Sequence, residues 1–257
     1  MLSKEKIIEE LNILGIDPPK IVYYELTDST NTRAKEYAKE STDRSPVVFI
    51  ADGQTSGRGR RGRSFVSESG AGIYMSVLTY PDVNAADATS ATAKAAVSLA
   101  RAIESLCECD IKLKWVNDLY LGGKKLAGIL TEGELDKEGK IAYQVVGMGI
   151  NVYKNAISDE ISDIATSLEH ECDATPNRAK LVAAIIKYCL FDEGDFYSEY
   201  KARSFIIGKK AKVMKLTEQY DATVIDINPD FSLKIDREGK TESLFTGEIS
   251  LRLNTEQ

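Results

Sequence analysis

The sequence predicts an α/β (α+β) protein in two parts: a mixed sheet with packed helices over residues 1–207, then a small all-β unit over residues 208–257. Three observations carry that prediction. Before Gly208 the apolar residues switch repeatedly between helical and strand periods. Gly122-Gly123 separates two apolar runs by two residues, which is a hairpin signal. From Lys209 to Leu253 only short alternating runs occur, at the spacing of strands.

The elements follow in order. Ile7, Ile8, Leu11 and Leu14 share a helical spacing, so residues 3–15 form a helix that stops at Gly15 and cannot pass Pro18-Pro19. Ile21 to Leu26 is a strand. Thr27-Asp28-Ser29-Thr30-Asn31-Thr32 precedes a helix-forming run that begins at Arg33. Such residues cap helices. A helix needs one cap, however, and the surplus hydroxyls and amide can face a small polar ligand where free N–H groups point outward.

Val47 to Ala51 is a short buried strand leading into Gly53-Gln54-Thr55-Ser56-Gly57-Arg58-Gly59-Arg60-Arg61-Gly62-Arg63. Four arginines and four glycines in this stretch make it too polar and too Gly-rich for a helix or a buried strand. Two readings stand: a loop that grips an anion through arginine forks, or a solvated basic loop. Gly72 to Tyr80 is a strand. Residues 88–107 form an Ala-rich helix with Ala93, Val97, Ala100 and Ile103 on its core stripe.

Ile111 to Trp115 is a strand entering the hairpin. A two-residue turn at Gly122-Gly123 pairs Leu121 with Lys124, Tyr120 with Lys125, Leu119 with Leu126 and Asp118 with Ala127. Asp118, Tyr120, Lys125 and Ala127 then share one face, and Lys124 sits by the turn, facing solvent. Asp118 and Lys125 become diagonal neighbours, roughly 7–8 Å apart between Cα atoms. Residues 126–135 and 141–153 pair around a turn at 136–139. The second strand carries Gly147 and Gly149, which mark either a bulge or the close approach of a backbone or ligand. Thr175-Pro176 opens a long helix with Leu181, Ile185, Cys189 and Leu190 inside. Strands follow at 211–216, 222–227, 232–235 and 241–253.

Composition excludes several function classes. The chain of 257 residues has 43% hydrophobic and 28% charged residues and a net charge of −7. An acidic chain is a poor general partner for nucleic acid, so the arginine cluster stands out as a local site. The four cysteines show no metal-ligand spacing and read as reduced thiols. The single histidine, His170, excludes a multi-histidine metal site and reads as a surface residue. No stretch approaches the roughly 18 apolar residues that span a membrane. The N-terminus has no signal-peptide pattern. The expectation is a cytoplasmic protein that binds neither DNA nor membrane.

Taken together and in this order, the polar cap, the Arg/Gly loop and the Asn-Asp…Lys hairpin resemble the biotin protein ligases. The matching pieces are Asp28-Ser29-Thr30-Asn31, the loop 53–63, Lys114-Trp115-Val116-Asn117-Asp118-Leu119-Tyr120, Lys125-Leu126-Ala127-Gly128-Ile129-Leu130, Gly147-Met148-Gly149-Ile150-Asn151, and Gly247-Glu248-Ile249-Ser250-Leu251-Arg252. They span about residues 21–252.

The resemblance implies a catalytic domain related in fold to class II aminoacyl-tRNA synthetases, with a small C-terminal SH3-like β-barrel. It implies two steps: biotin and ATP, carried with Mg²⁺, give biotinyl-5′-AMP and pyrophosphate, and a lysine of a biotin carboxyl carrier protein then takes the biotinyl group. It implies biotin contacts from Ser29, Thr30, Asn31, Gln54, Gly57, Arg58, Gly59, Arg60 and Lys125. ATP and adenylate contacts are implied for Arg58, Arg60, Arg61, Phe65, Asn117, Lys125 and Asn151. Lys125, Arg60 and Asp118 carry the catalysis, with Asp118 either orienting the incoming amine or helping to hold Mg²⁺. Phe65 stands where relatives often have Trp, and Val116 where they often have Pro.

Only about 20 residues precede the first strand, so a DNA-binding repressor domain is not expected. The sequence does not fix the oligomeric state; by analogy with dimeric relatives, an edge strand near 147–152 could pair with a second copy as a homodimer. Alternatives are a lipoate or octanoate ligase or transferase, whose apolar acyl chain has no need of the polar cluster, and a biotin-sensing module without turnover.

Overall fold

The structure, a computed structural model, describes residues 2–84, 88–215, 218–245 and 250–253. The chain opens with helix α1 (Lys4–Ile13), capped by the Ser3 side chain and followed by Gly15 at φ 70°. Its Ile7 and Leu11 are fully buried, whereas Leu14, expected on the same stripe, is exposed because the helix has already ended. Strand β1 (Lys20–Thr27), helix α2 (Thr30–Glu40) and strand β2 (Val47–Gln54) form a parallel crossover. Strand β3 (Gly72–Thr79) and helix α3 (Ala88–Glu104) follow. Strands β4 (Lys112–Lys114), β5 (Asp118–Leu121), β6 (Lys124–Leu135) and β7 (Ile141–Asn151) then form an antiparallel meander.

These seven strands make one sheet in the order β1-β2-β3-β7-β6-β5-β4. β7 therefore lies between β3 and β6, in the middle of the sheet. The edge strand expected near 147–152 is not there; the sheet ends at β1 and β4. Pairing of a second copy through 147–152 is accordingly ruled out: a central strand has both ladders occupied.

Helix α4 (Leu168–Glu171), helix α5 (Arg178–Leu190) and helix α6 (Phe196–Arg203) complete this part. The cap of α5 is Asn177, whose side chain accepts from Ala179 N, rather than Thr175-Pro176. The main core lies between the sheet and α1, α3 and α5, and includes Ile73, Met75, Val97, Leu99, Ile103, Leu181 and Ile185, all fully buried. The opposite face is covered by α2 through Ala34 and Ala38 against Phe49, Leu78 and Val145. Beside the N-terminus of α2 that face carries the cavity described below.

The last part is a five-stranded antiparallel sheet. It comprises β8 (Lys210–Met214), β9 (Gln219–Ile227), β10 (Leu233–Arg237), β11 (Lys240–Leu244) and β12 (Ser250–Leu253), in the order β11-β10-β9-β8-β12. The single strand expected at 241–253 is two, which lie at opposite edges of this sheet. Residues 247–249 of the matching piece Gly247–Arg252 lie outside the described residues, as does Leu216 of the strand expected at 211–216. The small sheet is joined to the large one by the indole of Trp115, which donates to the Phe231 carbonyl at 2.8 Å. Among the described residues no helix is long and apolar enough to cross a membrane.

Candidate active site

The Arg/Gly loop is folded as a narrow hairpin. Phe65 N donates to Gly57 O at 2.9 Å and Gly59 N to Arg63 O at 2.7 Å. The tip turns at Arg60–Gly62 with Arg61 and Gly62 at φ 58° and 71°. Gly57 is needed because a Cβ there would lie 2.3 Å from the Phe65 carbonyl oxygen. The base of the hairpin is tied to α2 through Gln54. Its Oε1 accepts from Thr30 N at 2.8 Å, and its Nε2 donates to Ser67 Oγ at 3.0 Å. An N–H left open by the helix start is thus satisfied from the loop. Ser29 occupies the N-cap position without a side-chain capping bond. It lines the cavity, so the surplus of polar residues read in the sequence is used partly for assembly and partly for the cavity wall.

The second component is the β5–β6 hairpin. Gly122 and Gly123 take φ 57° and 79°, as a two-residue turn of this type requires. The pairs Leu121–Lys124 and Tyr120–Lys125 form as expected. A bulge then shifts the register, and Leu119 pairs with Ala127 and Asp118 with Gly128. The expected pairs Leu119–Leu126 and Asp118–Ala127 are replaced. Leu126 and Ala127 both turn into the core, and Gly128 takes the place facing Asp118 and Lys125. Lys125 Nζ lies 2.6 Å from Asp118 Oδ1. Lys124 points the other way and donates to the exposed Ser162 carbonyl at 2.7 Å.

Asn117 joins the two components. Its Oδ1 accepts from Arg60 Nη1 at 3.0 Å, and its Nδ2 lies 3.1 Å from both Asp118 Oδ1 and Ile129 O. The peptide bond between Trp115 and Val116 just upstream is cis. Burial lowers the pKa of the Arg60 guanidinium from its ordinary range, with the charge of Asp118 acting against that shift. Burial, and then Asp118, push the Tyr120 phenol up to about 12. Arg58 is held by Thr32 Oγ1, and Arg61 Nη1 reaches the Met214 carbonyl of the small sheet at 3.1 Å.

The two strand glycines of β7 match neither reading left open by the sequence: there is no bulge, and what comes close is a side chain of the chain itself. The ladders on both sides of β7 run through Gly147 and Gly149 without a bulge. A Cβ at Gly147 would lie 2.1 Å from Asn31 Oδ1, and one at Gly149 would lie 2.6 Å from the Phe65 ring. Each glycine makes room for a side chain of the chain itself. Asn31 is buried and donates to Glu132 Oε2 at 2.8 Å, while Ser76 Oγ lies 2.6 Å from its Oδ1. Burial pushes the Glu132 carboxyl up, but its hydrogen bonds with Lys35 and Asn31 outweigh this and hold it below the usual value. Gly147→Ala is therefore expected to destabilise the fold by about 1–3 kcal/mol, through overpacking and disruption of this buried polar group. Chemical denaturation would measure it; an unchanged midpoint would show that Asn31 can move aside.

All these groups meet at one cavity of about 680 Å³. Ser29, Thr30, Asn31, Gln54, Arg58, Gly59, Arg60, Arg61, Phe65, Asn117, Asp118 and Lys125 all line it. Two residues of the expected set do not. Gly57 packs inside the loop. Asn151, expected at the nucleotide, is buried, and its Nδ2 donates to the Thr166 carbonyl at 3.1 Å. That bond helps pin the segment that pairs with Lys125 through Thr166 N and Ile164 O. The wall also carries residues outside the expected set, among them Arg63, Lys114, Met75 and Ile164. Met75 and Ile164 share their apolar character with ordinary core residues, so no local signal marked them, whereas Tyr120, expected on the face of Asp118 and Lys125, does line the cavity. His170 is exposed, and its Nδ1 lies 2.8 Å from Ser167 Oγ in the same turn, as expected of a surface residue.

The charge of the cavity is unlike that of the chain. Among the described residues its wall carries Arg58, Arg60, Arg61, Arg63, Lys114 and Lys125 against the single carboxylate of Asp118. In a chain of net charge −7 this is a concentrated cationic site. Fold and site together define an enzyme-like cavity built to bring anions together beside one lysine–aspartate pair.

The comparisons with known proteins agree with that class. The model of the biotin/lipoate A/B protein ligase family matches residues 23–151. The biotin–[acetyl-CoA-carboxylase] ligase of Mycobacterium tuberculosis is 31% identical over 237 residues, covering 87% of this chain and 85% of that protein. The bifunctional ligase/repressor BirA of Bacillus subtilis is 29% identical, over 90% of this chain and 74% of that protein. The structure of the biotin protein ligase from Aquifex aeolicus in complex with biotin and ATP superposes with a TM-score of 0.76 at 27% identity, covering 91% of this chain and 99% of that one. The chain belongs to the biotin/lipoate A/B protein ligase family.

Proposed function

We propose that this protein is an ATP-dependent biotin protein ligase. It joins biotin to ATP as biotinyl-5′-AMP with release of pyrophosphate, and then passes the biotinyl group to a lysine of a biotin carboxyl carrier protein of a biotin-dependent carboxylase. The observation that carries this reading is the cluster of six cations, Lys125 among them, set against the one carboxylate of Asp118 on the cavity wall. The first step presses a carboxylate against a phosphate, and the repulsion between two anions must be offset by fixed positive charge. Lys125 suits the substrate carboxylate because its ammonium can exchange Asp118 for it. Arg60, held at Asn117, suits the phosphate. Ser29, together with the Thr30–Gln54 group, faces the polar end of the acid. Phe65, resting on Gly149, offers a ring to the adenine. Mg²⁺ arrives with ATP as part of the substrate.

The polar groups at the start of α2 favour biotin over lipoate or octanoate, because a ureido ring needs donors and acceptors where an aliphatic chain needs none. The test is incubation of the protein with biotin, Mg·ATP and a biotin-carrier domain, followed by mass spectrometry of the carrier and a pyrophosphate assay. A mass gain of one biotinyl group is expected. Labelling with lipoate or octanoate instead would overturn the choice of acid, and no turnover with any of the three would favour a sensor.

A further inference from the structure

On the α3 side of the sheet lies a second cavity, of about 640 Å³. Small-molecule sites fall in the range of about 300–1,000 Å³. Among the described residues it shares only Met148 with the active-site cavity, so it is a separate space. Its origin is in the chain. Val77 pairs with Val146 and Thr79 with Gln144 across β3 and β7, and residues two apart on a strand share a face. Helix α3 meets that face with Ala91 and Ala95, whose small side chains leave the space unfilled. Three rings complete the lining: Phe196 and Tyr197 of α6, and Phe231 between β9 and β10. Tyr197 and Phe231 hold each other edge to face at 6.0 Å.

One polar group in this lining is out of place. Gln144 is only 6% exposed, and among the described residues its side-chain amide has no hydrogen-bond partner. Its polar neighbours are engaged elsewhere. The Tyr197 hydroxyl donates to the Ile227 carbonyl and the Ser98 hydroxyl to the Tyr188 carbonyl, both at 2.9 Å. Asp192 pairs with Arg101, and Asp195 caps α6. Buried amides are almost always satisfied, so an orphan that lines a cavity marks a partner that enters from outside.

The lining sets the chemistry of that partner. A glutamine amide offers an acceptor beside a donor, and a carboxamide answers both at once. The rings and the alanine face suit a flat aromatic body. An anion does not suit, because Asp192, Glu193 and Asp195 line the cavity against the single ammonium of Lys94. Any full charge in the apolar interior would be buried without a counter-ion. We propose that this cavity is a second binding site, for a neutral aromatic ring bearing a carboxamide that pairs with Gln144.

The test is titration of the full chain with benzamide, followed by ligand-observed NMR, with benzoate and toluene as probes of the same ring. Benzamide should bind, and benzoate about ten-fold more weakly or not at all. Gln144→Leu keeps the bulk and removes the amide. It should weaken benzamide about five-fold and leave toluene no weaker. Its Tm should not fall, because the amide it removes has no partner to lose. Ala95→Leu fills the cavity and should weaken both benzamide and toluene.

No benzamide binding to the wild-type chain in the millimolar range would overturn the inference. So would benzoate binding as tightly as benzamide, or benzamide binding that neither substitution changes, which places the probe elsewhere. A lowered Tm or a failure to fold in Gln144→Leu would mark a structural amide and overturn it too. If Ala95→Leu does not fold, the contrast between benzamide and toluene in Gln144→Leu decides alone.

Discussion

Replacing Lys125 by alanine is expected to cut biotin-dependent pyrophosphate release by about 10²–10³-fold, the cost of removing one preorganised charge from a developing anionic centre. Carrier labelling falls with it. The effect on stability is expected to be small, because Lys125 and Asp118 are partly exposed, at 36% and 21%, and exposed ion pairs contribute little. Lys125→Arg should not restore activity. The planar guanidinium is bulkier than the ammonium and presents its donors as a rigid fork, so it does not reproduce the single point charge of the Lys125 ammonium. The neighbour supplies the control: Lys124 points to the Ser162 carbonyl at the surface, so Lys124→Ala should retain wild-type turnover. Equal loss in both variants would mean that general surface charge, not the Lys125 position, drives the first step.

Asp118→Ala is expected to separate the two steps. Biotinyl-adenylate should still form, because Lys125 is then free to take the substrate carboxylate. Transfer to the carrier should drop by about 10²-fold or more, since an attacking lysine begins as an ammonium and needs a carboxylate to orient it and accept its proton. Single-turnover measurements, with adenylate made first and carrier added second, read the two steps apart. Loss of the first step as well would overturn the amine role as the only one and point to Asp118 holding the Mg²⁺ that comes with ATP.

Much of this site was legible in the chain because its parts are local. The Gly122-Gly123 turn is written in two residues, and it alone separates Lys125 from Lys124. The Arg/Gly loop is legible from composition over eleven residues. What failed depended on contacts between distant segments. The bulge after Tyr120–Lys125 follows from packing both Leu126 and Ala127 into the core, so the simple register missed Gly128. Asn151 belongs to a matching motif, yet its amide is spent on Thr166, a partner from a segment with no strand signal of its own. β7 carries glycines that look weak for a strand, but its place between β3 and β6 is set by pairing order, which no single segment encodes.

The sequence by itself determined the kinds of chemistry available: a cationic loop, one lysine–aspartate hairpin, no histidine base, and a family resemblance spread over most of the chain. Turn conformations and side-chain chemistry act within a few residues, so they survive in the sequence. Only the tertiary structure decided which polar groups face the cavity and which are consumed in building it. Asn31 is locked to Glu132 beneath Gly147, and Gln54 closes the start of α2. Each of these depends on two or three segments meeting, and the energy of burying a polar group is defined only once its partners are in place.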